Sequence, residues 1–104
     1  MKPRLQTSAG PLLDSMYFLT EAQTCIGRDP SNSLAISDLS LSRHHCVLSR
    51  EQESYKICDL DSRNGTYVNG NMISEMLLNH GDQISVGESI FVFRLAWRKN
   101  LFLR

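Results

Sequence analysis

Apolar and polar positions alternate with a period of two in short segments that recur along the whole chain. Clusters of Gly, Asn, Asp and Ser separate these segments, which are rich in β-branched and aromatic residues. Short strands at such regular spacing are typical of an all-β sandwich or barrel. The residues predicted to form strands are 16–19, 24–27, 34–36, 45–50, 55–60, 66–68, 71–73, 83–86 and 89–96.

Two dipeptides between these strands predict tight turns. Asn69-Gly70 is the strongest hairpin indication in the chain, because both central residues of a type I′ turn require positive φ. Gly87-Glu88 lies between two predicted strands and indicates a second turn. Residues 72–77 fit one face of a short helix and also, less cleanly, an alternating strand, so periodicity leaves their structure open.

The chain has 104 residues, which is the length of one compact domain. Residues 1–14 contain two prolines and a glycine and are predicted to be a loose leader. Residues 15–97 are predicted to be the folded domain, and residues 98–104 the start of a connection to a further domain. We therefore expect a fragment of a longer protein.

The composition of the chain argues against several classes of function. Apolar residues make up 41% of the chain and charged residues 21%, with 11 Lys plus Arg against 11 Asp plus Glu. This neutrality argues against direct nucleic-acid binding, which draws its affinity from cations that neutralise phosphates. No apolar run approaches the roughly 18 residues of a membrane span, and the residues after Arg4 are too polar for a signal peptide. We expect no membrane contact.

The three cysteines, Cys25, Cys46 and Cys58, predict a reducing compartment. Three cysteines cannot all pair within one chain, and none of them forms a Cys-x-x-Cys motif. All lie beside β-branched or apolar residues, so we interpret them as small buried hydrophobic side chains. Together with the histidines they lack the ligand spacing of a zinc site. We expect a cytoplasmic protein without a metal or a cofactor.

Three polar loops between the predicted strands each combine an Arg with small hydrogen-bond donors. A guanidinium group suits bidentate contact with phosphate, and Arg clusters are a recurring means of recognising phosphorylated side chains. In a neutral domain, Arg28, Arg43 and Arg63 therefore suggest one local site for a doubly charged oxyanion. Spacing alone leaves open whether the loops converge. The loops are residues 27–32, 40–45 and 59–66.

Several motifs follow one another in a characteristic order along residues 16–95: Gly27-Arg28, Asn32, Ser42-Arg43-His44-His45, residues 59–66, Asn69-Gly70 and residues 78–87. Each is weak alone, but their order and spacing resemble those of the forkhead-associated (FHA) domain. The resemblance implies an all-β, FHA-like sandwich of two antiparallel or mixed sheets with about eleven short strands. It also implies a peptide-binding surface formed by loops at one end.

The partner that this resemblance implies is a protein or peptide that carries phosphothreonine. Arg28 and Ser42 match the residues that bind the phosphate, and Arg43 and Arg63 match neighbouring positions that contact phosphate or peptide. Asn64 matches the residue that holds the peptide backbone. Many relatives carry Thr or Ser in place of Arg63, which here either adds a bond to the phosphate or faces solvent. The resemblance gives loop-supporting roles to Gly27, Asn32, His45, Gly65, Thr66 and Asn69.

Two other readings compete with phosphopeptide binding. An enzyme would use Ser42 as nucleophile, His45 as base and Asp59 or Asp61 as the orienting carboxylate. We expect no enzyme, because residues three apart at the start of a strand project to opposite sides and the chain lacks the common nucleophile and nucleotide-binding motifs. The other alternative is an FHA scaffold that binds a partner without phosphate.

The host protein is suggested by a further resemblance. The short leader and residues 86–93 are similar to the N-terminal FHA domains of bacterial sigma-54-dependent transcription regulators. We therefore expect a signalling sensor domain of a protein that regulates transcription. As an isolated domain we expect it to be monomeric.

Overall fold

The computed structural model describes residues 2–95, which form eleven strands. No helix long and apolar enough to cross a membrane occurs within these residues. The strands are β1 (Arg4–Ala9), β2 (Met16–Phe18), β3 (Gln23–Gly27), β4 (Leu34–Ala35), β5 (Cys46–Glu51), β6 (Ser54–Asp59), β7 (Thr66–Val68), β8 (Asn71–Ile73), β9 (Glu75–Leu77), β10 (Gln83–Val86) and β11 (Ser89–Arg94).

The strands form two sheets that pack face to face. One sheet has six strands in the order β2-β1-β11-β10-β7-β8, and the other has five in the order β4-β3-β5-β6-β9. The short β4 pairs in parallel with β3, and the other recorded pairs are antiparallel. The predicted FHA-like sandwich of antiparallel and mixed sheets is confirmed.

The core lies between the two sheets and follows the period-two pattern. In β11, Phe91 and Phe93 are fully buried and alternate with half-buried neighbours. From the facing sheet, Tyr55 packs edge-on against Phe93 with ring centroids 5.6 Å apart. Each such aromatic side chain buries a large apolar area, which stabilises the contact between the two sheets.

The N-terminal residues differ from the prediction. Residues 4–9 form β1, which pairs with both β2 and β11, so the predicted loose leader is wrong for this stretch. Leu5 is fully buried and Thr7 nearly so. The strand escaped detection because a single Leu and a Thr supply the inward positions, which is a weak hydrophobic alternation. The predicted connection at residues 98–104 lies outside the described residues.

The ambiguous residues 72–77 form two strands and no helix. They supply the end of β8 and all of β9, which lie at the edges of different sheets. The chain crosses from one sheet to the other at Ser74. Both predicted turns are present, because Asn69 and Gly70 have φ of 52° and 85° and Gly87 has φ of 55°.

The three cysteines are free thiols with different burial. Cys46 is buried in the core, where desolvation raises the pKa of its thiol to about 12. Cys25 and Cys58 are half-buried on the outer face of the five-stranded sheet, on either side of Val47. The prediction of small buried side chains therefore holds for Cys46 alone.

Candidate functional site

Four of the connections at one end of the sandwich, which we call the arginine end, lie next to one another. They converge there because Ile26 pairs with Cys46, Cys46 with Asp59, and Val86 with Thr66. The connections are residues 28–33, 36–45, 60–65 and 87–88.

A pocket of about 240 Å³, here called the arginine pocket, opens at this end. The structure thus brings together the four residues that the sequence assigned to the phosphate, Arg28, Ser42, Arg43 and Arg63. All three arginines are exposed, whereas Ser42 is half-buried. The complete lining is Arg28, Leu39, Ser40, Leu41, Ser42, Arg43 and Arg63.

The first two loops are joined through their backbones. The amide of Arg28 donates to the carbonyl of Ser42 over 3.0 Å, and that of Asp29 donates to the carbonyl of Arg43 over 3.1 Å. A Cβ atom at Gly27 would collide with the Arg43 carbonyl. Glycine is therefore required sterically at this position, where two backbones touch.

Asn32 holds the same two loops with its side chain. Its amide nitrogen Nδ2 donates to the carbonyl of Arg43 over 2.7 Å and to the carbonyl of Asp29 over 2.8 Å. Asn32 is 7% exposed, so these bonds are largely shielded from water. This placement agrees with the loop-supporting role implied by the family resemblance.

Two side chains of the arginine pocket are oriented by bonds that leave their other donors free. Nε of Arg28 donates to the carbonyl of Leu41 over 3.1 Å, which fixes the guanidinium plane and leaves the terminal nitrogens for a ligand. Oγ of Ser42 accepts from the amide of Arg63 over 2.9 Å, so its own proton can be donated. Both groups are thus preorganised to donate to an anion.

Asn64 lies at the rim of the arginine pocket, where its side-chain nitrogen and oxygen have different roles. Nδ2 donates to the carbonyl of Ser40 over 2.8 Å. The residue is exposed, so its oxygen Oδ1 can accept from an N–H of an extended chain lying across the rim.

His45 connects the second and third loops from below. It is fully buried, and its Nδ1 accepts from the amide of Ser42 over 3.1 Å. Since Nδ1 accepts, Nε2 carries the ring proton and donates to the carbonyl of Gly65 over 2.9 Å. Gly65 has φ of 90°, a conformation that favours glycine.

Asp59, which the sequence analysis considered only as an enzyme residue, shapes the third loop. Its carboxylate accepts from the amide and hydroxyl of Ser62 over 3.0 and 2.6 Å and from the hydroxyl of buried Thr66 over 2.7 Å. Burial acts to raise the pKa of Asp59, but these hydrogen bonds outweigh it and the pKa is lowered. The carboxylate therefore stays charged near neutral pH.

Asp38, which the sequence analysis missed altogether, holds the second loop. One carboxylate oxygen accepts from the amide and hydroxyl of Ser40 over 2.9 and 2.6 Å, and the other accepts from the amide of Glu88 over 2.9 Å. The Glu88 amide and then the Ser40 hydroxyl lower the pKa of Asp38. An Asp two residues before a Ser is an Asx-turn pattern that could have revealed it.

Asn69 is the one predicted supporting residue that the structure places away from the site. It lies at the opposite end of β7, where its Oδ1 accepts from the amide of Gln83 over 2.9 Å. Its Nδ2 donates to Asp82 over 3.0 Å. The residue supports a loop, but that loop is not one of the four at the arginine end.

Comparisons with known proteins agree with this arrangement. The family model for the FHA domain matches residues 24–87. The oxoglutarate dehydrogenase inhibitor of Corynebacterium jeikeium is 34% identical over 89 residues, which are 86% of this chain and 62% of that protein. The chain spans 55% to 62% of the length of the first curated relatives that it matches.

Two solved structures extend the comparison to three dimensions. An FHA domain from a study of phosphothreonine-dependent FHA domain interactions has a TM-score of 0.82 at 31% identity, covering 90% of this chain and 96% of that chain. Mycobacterium tuberculosis EmbR in complex with a low-affinity phosphopeptide has a TM-score of 0.85 at 31% identity, covering 95% of this chain and 26% of EmbR.

Proposed function

The chain belongs to the FHA domain family, and from that premise we propose that it is a signalling module that binds proteins and peptides in a phosphothreonine-dependent manner. The observation that carries the proposal is the arginine pocket. There the oriented guanidinium of Arg28 and the hydroxyl of Ser42 lie beside Arg43 and Arg63. A phosphothreonine side chain carries about −1.5 to −2 charges and three acceptor oxygens at neutral pH, which these donors match.

The peptide backbone is held beside the phosphate in this proposal. Asn64 lies on the same loop as Arg63 and presents an acceptor at the rim of the arginine pocket. An extended peptide whose phosphate enters the pocket would offer its amides to this acceptor. Affinity then comes from the phosphate and from one backbone contact, which is how short phosphorylated motifs are recognised.

We propose that the site binds without catalysis. In an enzyme, His45 would take the proton of Ser42, but both ring nitrogens of His45 are bonded to backbone groups of the loops. The hydroxyl oxygen of Ser42 accepts from the amide of Arg63. This pattern supports a structural histidine and a phosphate-binding serine.

A cytoplasmic location is part of the proposal. It is supported by the three free thiols, which persist in a reducing compartment. The wider role as the sensor of a transcription regulator stays a prediction about the host protein.

The proposal is tested by measuring affinity for paired peptides. An oriented library of phosphothreonine peptides first identifies a binding sequence, which is then titrated in phosphothreonine, phosphoserine and unmodified forms by isothermal calorimetry. We expect binding of the phosphothreonine form and no measurable binding of the unmodified form. Equal affinity for the phosphothreonine and unmodified peptides would favour the phosphate-independent scaffold and contradict the proposal.

A further inference from the structure

A second pocket, here called the side trough, lies next to the arginine pocket. It has a volume of about 400 Å³ and shares the side chain of Arg63 with the arginine pocket. The trough is formed by the third loop of the arginine end and by strand β8. Its lining is Asp59, Asp61, Ser62, Arg63, Gly65, Met72, Ile73 and Ser74.

The two pockets have opposite charge. Three arginines and no carboxylate line the arginine pocket, whereas the trough has two carboxylates and only the shared Arg63. The carboxylate of Asp59 is occupied by Ser62 and Thr66. Asp61 differs, because it is exposed and because the ion pairs recorded within residues 2–95 both belong to Lys56. The trough therefore contains one carboxylate that is available to a cation.

The remaining wall of the trough is apolar. Met72 is 65% exposed, and Ile73 beside it is half-buried. Lys and Arg side chains bury their methylene stems along apolar surface while the charged head reaches a polar partner. A basic side chain could thus cover Met72 with its stem and place its head near Asp61.

We propose that the side trough binds a lysine or arginine side chain that flanks the phosphothreonine of the partner. The inference rests on the proposed phosphothreonine binding: Arg63 lines both pockets, so a peptide anchored in the arginine pocket would have the side trough within reach of a flanking side chain. The partner motif is then dipolar, with a dianionic phosphate and a nearby cation.

The test is a peptide scan on the intact chain. A phosphothreonine peptide with alanine at every flanking position is compared with peptides that carry Lys, norleucine or Glu at one flanking position at a time. We expect Lys at one position to bind about two- to fivefold tighter than norleucine, as an exposed ion pair allows. Glu at that position should bind more weakly than alanine.

Two variants locate the effect. Asp61 has φ of 55°, which Asn also tolerates, so Asp61→Asn should fold normally and abolish the preference for Lys over norleucine. Asp14→Asn is the matched control, because Asp14 is also exposed with φ of 71° but lies between β1 and β2. It should leave the preference unchanged.

The outcomes separate this inference from the function on which it rests. Lys and norleucine binding equally at every flanking position would overturn the basic subsite while leaving phosphothreonine binding intact. A Lys preference that survives Asp61→Asn would also overturn it. Failure of every phosphothreonine peptide to bind would instead contradict the proposed function.

Discussion

The two ends of the sandwich are built by the same means but present different chemistry. At the arginine end, Asp38 and Asp59 accept hydrogen bonds from the loops around them. At the opposite end, which we call the asparagine end, Asp82 accepts from the amide of Asn79 over 2.7 Å and from the side chain of Asn69 over 3.0 Å. Ordered loops held by a carboxylate are therefore general in this fold. The site is distinguished by what those loops display.

The arginine end displays three arginines around one pocket. The loops of the asparagine end instead display the turn residues Asn69 and Asn79. The loops of the arginine end also touch one another through backbone bonds, such as that from Arg28 to Ser42. Movement of one loop therefore moves the next. Under the proposed function, we expect affinity to depend on the arginines directly and on the carboxylates only through the position of the loops.

The largest expected effect is that of removing the guanidinium of Arg28. Arg28→Ala should weaken binding of the phosphothreonine peptide by about 2 to 5 kcal/mol, as for truncated charge pairs that are desolvated on binding. The matched control is Arg50→Ala at the asparagine end, because Nε of Arg50 also donates to a backbone carbonyl, that of Gln52. Calorimetric titration of both variants measures the difference.

Arg50→Ala should bind the peptide as the wild type does. Both variants should unfold at nearly the wild-type temperature, since the two arginines are exposed. Unchanged affinity in folded Arg28→Ala would show that the arginine pocket is not the phosphate site.

The second prediction compares the loss of a loop-holding carboxylate at each end of the sandwich. Asp38→Ala and Asp82→Ala should each lower the free energy of unfolding by about 1.5 to 3 kcal/mol, the usual cost of losing hydrogen bonds to a charged group. Only Asp38→Ala should also weaken peptide binding, because Ser40 and the loop that carries Ser42 lose their anchor. Denaturant unfolding and peptide titration are measured on the same samples. Equal loss of affinity in both variants would contradict the division between the ends.

Much of the fold could be predicted from the sequence, because the turn residues that end the strands are recognisable from a few neighbouring positions. The bounds of β7, β8 and β10 were predicted correctly, since Asn69-Gly70 and Gly87-Glu88 fix where those strands stop. Strand β1 was missed, because its hydrophobic alternation is weak and its pairing with β11 joins residues at opposite ends of the described chain.

The site was predictable only through the order of its motifs. No spacing rule shows that Arg28, Ser42 and Arg63 share a pocket, because their meeting depends on the register of β3, β5 and β6. The role of Asp38 depends on the amide of Glu88, which is fifty residues away in sequence. Contacts of this kind become visible only in three dimensions.

A pair of glycines tests how tightly the loops of each end are packed. Gly27→Ala at the arginine end should cost about 1 to 3 kcal/mol of stability through overpacking against the Arg43 carbonyl. Gly81→Ala at the asparagine end meets no atom within 4 Å, but its φ of 91° should cost about 1 kcal/mol. The Gly27 variant should also bind peptide more weakly, because the loops must separate. Wild-type affinity in that variant would show that the joined backbones do not position the pocket.

The smallest expected effect is the pH dependence of the arginine end, where two processes fall in different ranges. The pKa values of Asp38 and Asp59 are lowered in the folded state. A lowered pKa contributes stability that is complete above the ordinary value of 3.8 and is lost as the pH falls through the folded value. The phosphate of the ligand takes up a proton near pH 6. Affinity should therefore fall between pH 7 and 5, whereas the contribution of these two carboxylates to stability should be lost only below about pH 4.

The Asp38→Asn variant isolates the contribution of one carboxylate to this acid transition. It should be less stable than the wild type at pH 7, and the difference should shrink as the pH falls below 3.8 and through the lower pKa of the folded state, where the wild-type carboxylate also becomes neutral. Urea unfolding at several pH values between 7 and 2.5 measures both curves. Parallel curves down to pH 2.5 would mean that the charge of Asp38 does not stabilise its loop.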